Sequence, residues 1–99
     1  MNIKIQSVNF NINDNLSSFV NEKVGKLEQY FDSIVSSEVY LKLENTAEIE
    51  NKIAEIKVLI PGNEIFVKKK AKSFEEATDL AVDALKKQIN KHKEKIKGV

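Results

Sequence analysis

The sequence contains no cysteine and one histidine. That excludes disulfides, thiolate nucleophiles and thiolate metal sites together, and it leaves His92 as the sole imidazole, which alone makes no metal site. There is no glycine-rich phosphate loop, no Ser-His-acid or Cys-His grouping, and no pair of His or Cys at ligand spacing, so the inventory for an enzyme is poor. No apolar run approaches the roughly 18 residues of a membrane span. The N-terminus MNIKIQSVNF alternates apolar and polar residues instead of forming a signal-peptide core, and a cytoplasmic location is the expectation. Aromatics make up only 7% of the chain. Tyr40 and Phe66 are the two that alternation places on an outer sheet face, and two do not amount to the stacking platform of a single-strand binder.

Charge is plentiful and unevenly placed. The 99 residues carry 31% charged side chains and a net charge of only +1. Residues 1 to 67 hold six lysines and ten acids, net −4, whereas residues 68 to 99 hold ten lysines and five acids, net +5. The chain is therefore an electrostatic dipole, and a polyanion of fixed shape would be drawn to one side of it and repelled from the rest. Its length suits one domain, residues 1 to 99, with one modest core.

The pattern along the chain predicts β-α-β-β-β-α. Ile3 and Ile5, followed by Val8 or Phe10, give a first strand of period near two. Asn13 or Asp14 is a natural N-cap, and Leu16, Val20, Val24, Leu27 and Phe31 recur at helical spacing, predicting a continuous first helix to Phe31. Residues 33 to 44 alternate as a half-buried strand, and the polar stretch from Asn45 to Asn51 is a loop. Ala54, Ile56, Val58 and Ile60 mark a third strand, Pro61-Gly62-Asn63 a hairpin turn and residues 64 to 72 a fourth strand. Ser73 with Glu76 forms a capping box for a second helix that runs to about Lys97, with Gly98 as its stop. Amphipathic helices over half-buried strands imply an α+β two-layer sandwich, a four-stranded sheet carrying both helices on one face. The first two strands are expected to be parallel neighbours, and the last three a meander.

Two helical stretches carry the candidate site. On the last helix, Phe74, Ala77, Thr78, Ala81, Val82, Leu85, Ile89 and Ile96 form one apolar face, and Lys86, Lys87, Lys91, Lys93, Lys95 and Lys97 occupy the remainder. On the first, Phe19, Lys23, Lys26 and Tyr30 follow at i, i+4, i+7 and i+11 beside the core stripe, aiming two lysines at the seam with the last helix. A basic groove between the helices is the expectation. The plainer alternative is solvated charge that complements a helix dipole at its C-terminal end. His92 falls near the edge of the apolar stripe, which favours packing over direct contact with RNA. Lys68, Lys69, Lys70 and Lys72 fit either edge-strand protection or RNA contact. Glu44, Glu48, Glu50 and Glu55 read as solvated charge around a loop, not as a cation site.

VGKLEQYFD at residues 24 to 32 and LKKQINKHKEKIK at 85 to 97 resemble the two most recognisable stretches of the ribosome hibernation promoting factor family, also called ribosome-associated inhibitor A or sigma-54 modulation proteins. VYLKLE at 39 to 44, GNEI at 62 to 65 and SFEEATDLAVDAL at 73 to 85 follow in the same order, so the resemblance spans essentially the whole chain. It implies a fold similar to double-stranded RNA-binding domains. It also implies binding to the small ribosomal subunit in the messenger and tRNA channel, with translation blocked during stress or stationary phase and no catalysis or cofactor. By position it assigns rRNA contact to Lys23, Lys26, Lys86, Lys87, Lys91, Lys93 and Lys95, with Tyr30, His92 and Lys97 as further candidates. The implied partner is the small subunit, without membrane or small-molecule substrate, and the implied state off the ribosome is a monomer. The chain resembles the family's short form. Helix two is all lysine where family members often carry an arginine at Lys87, so a point charge replaces a bidentate fork. A general structured-RNA-binding module is the alternative, and a protein-interaction domain using the sheet face around Tyr40 and Phe66 is a third.

Overall fold

The computed structural model describes residues 2–97, with side chains described as far as His92. Gly98 as the helix stop, and the side chains of Lys93, Lys95, Ile96 and Lys97, lie outside the described residues. The elements are β1 (Asn2–Val8), α1 (Asp14–Gly25), α2 (Leu27–Tyr30), β2 (Ser36–Leu43), β3 (Lys52–Ile60), β4 (Asn63–Ala71) and α3 (Phe74–Lys97). The sheet order is β1-β2-β3-β4. β1 runs parallel to β2, with Ile3 opposite Ser37, and β2, β3 and β4 form the antiparallel meander. The strand and helix order expected from the sequence is the order observed.

β1 ends at Val8 because Asn9 adopts φ 68°, a left-handed conformation that asparagine tolerates better than most residues. The Asn9 Nδ2 donates to the Leu43 carbonyl at 3.2 Å, tying the reversal to the end of β2. Past this bend Phe10 stacks on Phe74 at 4.3 Å between ring centroids, closing the core beneath the start of α3. Phe10, not Val8, therefore turns inward after the strand, and Val8 is exposed.

Asn13 is the N-cap of α1: its backbone is extended and its Oδ1 accepts from the Leu16 N–H at 2.8 Å. Leu16, Val20, Val24 and Leu27 are buried, as their spacing requires. The helix is not continuous to Phe31, however. It stops at Gly25 and resumes for one turn at Leu27. Glycine is the weakest helix former after proline, and at the joint Lys26 takes ψ −18°, so the Gln29 N–H bonds three residues back to the Lys26 carbonyl at 3.1 Å. The tightened turn still keeps Leu27 fully buried.

The Ser73 Oγ accepts from the Glu76 N–H at 3.1 Å and starts α3, the forward half of the capping box. Gly62, at φ 77°, supplies the positive φ that the hairpin after Pro61 requires. Ala77, Ala81, Leu85 and Ile89 of α3 are fully buried against the helix-facing strand residues Val39, Leu41, Ile56, Val58 and Ile60. Removing a side chain such as Leu85 from this layer costs about 2–5 kcal/mol. All helices lie on one face of the sheet, and the second face is open.

Candidate functional site

The open face is where the chain spends its carboxylates on lysines. Lys57 Nζ lies 3.5 Å from Glu38 Oε2, Lys42 lies 3.1 Å from Glu55 Oε1, and Lys68 reaches the other oxygen of Glu55 at 4.0 Å. Lys70 lies 2.8 Å from Glu44 and 3.9 Å from Glu48. The Tyr40 hydroxyl donates to Glu38 at 3.0 Å. That hydrogen bond, and the Lys57 ammonium beside it, hold the Glu38 carboxyl below its usual range. The same carboxylate raises the Tyr40 phenol, and Glu38 and Glu44 raise Lys57 and Lys70. This face is an internally neutralised lattice of alternating charge.

The helical side differs. Lys23 reaches the seam between α1 and α3, with Nζ 3.4 Å from Asp79 Oδ1 and 5.5 Å from the centroid of the Phe19 ring. Lys86 follows Asp79 by seven residues, two turns along the same flank of α3, and is half-buried. Lys26 stays on its own helix, 3.8 Å from Glu22. Tyr30 packs at the border of the core. His92 is half-buried with its ring edge-on to Phe31, 6.2 Å between centroids, which is the packing arrangement that its angular position suggested.

Lys87 and Lys91 lie on the opposite flank of α3, facing β4. With Leu80, Asp83, Ala84, Gln88 and Lys69 they line a shallow groove of about 380 Å³. The lysines of α3 thus stand on two flanks, one toward α1, where the spacing places a basic groove between the helices, and one toward β4. The cause is angular: Lys86 and Lys87 are neighbours in sequence and 100° apart around the axis. Among the described residues, no carboxylate lies within 4 Å of the Lys69, Lys86, Lys87 or Lys91 ammonium.

Lys69 was concealed in the middle of three consecutive lysines, Lys68 to Lys70. Its register exposes it: Lys69 has the strand parity of Val67 and Ala71, both buried toward the helices, whereas Lys68 and Lys70 share the outer face with Phe66. Among the described residues no three His, Asp or Glu side chains converge as a metal-binding group, and no helix is long and apolar enough to cross a membrane.

Residues 3–97 match the family described as Sigma 54 modulation protein / S30EA ribosomal protein. The ribosome hibernation promoting factor of Escherichia coli K12 is 34% identical over 97 residues, covering 98% of both chains. The ribosome hibernation promotion factor of Bacillus subtilis is 34% identical over 98 residues, and there the match spans 97% of this chain and half the length of the relative. Among solved structures, the N-terminal domain of Thermus thermophilus Protein Y superposes with a TM-score of 0.79 at 30% identity, over 93% of this chain and 99% of that one. A ribosomal subunit interface protein from Coxiella burnetii gives a TM-score of 0.82 at 20% identity, a likeness of fold.

Proposed function

The chain belongs to the Sigma 54 modulation protein / S30EA ribosomal protein family, and from that premise we propose that it is a ribosome hibernation factor that docks by its helical side on the small subunit. The observation that carries the reading is the sorting of lysines by the fold. Lys42, Lys57, Lys68 and Lys70 across the sheet are each matched to a carboxylate, while Lys86, Lys87 and Lys91 on α3 stand without one among the described residues. Unpaired like charges on one helix repel each other, and a polyanion removes that cost.

The mechanism is steric. The basic flanks of α3, joined by Lys23 and Lys26 of the α1 segment and by Lys93 and Lys95 further along α3, attach to ribosomal RNA phosphates in the messenger and tRNA channel. The sheet and its neutral open face then fill space that tRNA and messenger would occupy. Tyr30, His92 and Lys97 border this footprint. Structured RNA offers phosphates at fixed positions and few readable base edges, so shape supplies the selectivity and no bond need be made or broken. The protein acts as a monomer in the cytoplasm, without cofactor or small-molecule substrate, and residues 1 to 99 form the ribosome-binding domain.

Sedimentation of the purified protein with isolated small subunits over a salt series tests this. Saturable one-to-one binding is expected, with a log-log salt slope of about −4 to −5 if five or six phosphates are neutralised. Lys87→Glu combined with Lys91→Glu should abolish binding and leave the unfolding transition in place, since both side chains are exposed. Retained co-sedimentation of that variant at physiological salt refutes docking by α3. Equal affinity for a bare RNA hairpin and for subunits would show a general double-stranded RNA binder instead.

A further inference from the structure

We propose that the groove between α3 and β4 is a seat for one phosphodiester of the ribosomal RNA backbone, and that Lys69, from the sheet, is an RNA-contacting residue alongside Lys87 and Lys91 of α3. This rests on the small-subunit reading above and extends the interface from the helices onto an edge strand. Three ammonium groups on three separate positions line one concavity with a single carboxylate, Asp83, among its walls. The amide of Gln88 adds a further donor, and Leu80 and Ala84 give the groove an apolar side against which a ribose can rest.

Edge-strand lysines commonly serve to block strand pairing with another chain. That duty does not distinguish Lys69 from its neighbours, but pairing does. Lys68 and Lys70 turn to the open face and take carboxylate partners at 4.0 and 2.8 Å, whereas no described carboxylate lies within 4 Å of Lys69 on the helix side. The chain contains no arginine. Without a planar fork that grips a phosphate from one side chain, a firm contact needs several point charges converging from different backbones, which is the arrangement that β4 and α3 create.

The test compares Lys69→Gln with Lys68→Gln in the full chain, each titrated against isolated small subunits over a salt series. Lys69→Gln is expected to weaken binding by about three- to tenfold and to make the log-log salt slope shallower by about 0.9, while Lys68→Gln changes neither. Lys69→Arg should retain binding. The effect of Lys69→Gln should shrink when Lys87→Gln is already present, because the two share one phosphate. Lys69→Gln binding like the parent chain, or Lys68→Gln losing as much, overturns the seat. If the double reversal of Lys87 and Lys91 still abolishes binding in that case, docking by α3 stands and only the seat falls. A parent chain that fails to bind subunits even at low salt overturns both.

Discussion

On the flank of α3 toward α1, Asp79 is placed to oppose RNA binding, and Asp79→Asn should therefore tighten it. In the free protein the Asp79 carboxylate lies 3.4 Å from the Lys23 ammonium, with side chains 52% and 36% exposed. An ion pair this open to water is worth at most about 1 kcal/mol. Docking on a phosphate must either exchange that partner or tolerate the carboxylate beside the RNA, so removing the charge can return up to about 1 kcal/mol, a gain of about fivefold in affinity. Lys23 should stay in the seam, because its ammonium also lies over the Phe19 ring. The cost in the free protein is the same lost pair, lowering the unfolding midpoint by no more than about 4–8 °C for a domain of this size. Titration against small subunits at low and high salt, with thermal unfolding alongside, reads both quantities. The gain should diminish as salt screens the site. Weaker binding by Asp79→Asn would refute the reasoning and show that Asp79 aims Lys23 at its contact.

Two further predictions concern the free fold. Thr78 is completely buried and its Oγ1 has no hydrogen-bond partner among the described residues. Thr78→Val should thus stabilise by about 1 kcal/mol, seen as a higher denaturation midpoint, and a loss of stability would show the hydroxyl bonded to its own helix. Glu38→Gln should destabilise at neutral pH, and the difference from the parent chain should vanish in acid. The folded-state pKa of Glu38 lies below its unfolded value, so its stabilisation is present above about pH 4 and is lost as pH falls through the folded value. Urea midpoints for the two proteins from pH 7 to pH 3 check this, and a constant offset across the range would refute it.

Periodicity made much of this legible in the sequence. Alternation in β2 and β3 and the 3.6-residue stripe of α3 are one-dimensional records of which side faces the core, and Ser73 and Asn13 announce their helices because capping is local chemistry. The interruption at Lys26 is marked only by Gly25, which the apolar periodicity does not record. Leu27 remains on the buried stripe across the joint, so the apolar pattern reads straight through while the hydrogen bonds change partner. Phe10 posed a related difficulty: its inward place depends on the left-handed Asn9, which the alternation of β1 does not encode.

The site was legible as a set of residues and not as a surface. Counting charge identified α3 as basic, yet which lysines are available to a ligand depends on the carboxylates that tertiary structure delivers to the others. Glu55 is far from Lys68 in sequence and directly opposite it in the β3–β4 register; that pairing, and the one of Glu44 with Lys70, removes two of the three lysines of β4 from the available set. Lys69 escapes only because a strand sends alternate side chains to opposite faces. The same rule that buries Val67 and Ala71 carries Lys69 to the helix side, where Lys87 and Lys91 already stand. A chain of net charge +1 can in this way offer a polyanion a basic flank: Lys42, Lys57, Lys68 and Lys70 are matched to carboxylates on the open face, while Lys69, Lys87 and Lys91 have no described carboxylate within 4 Å.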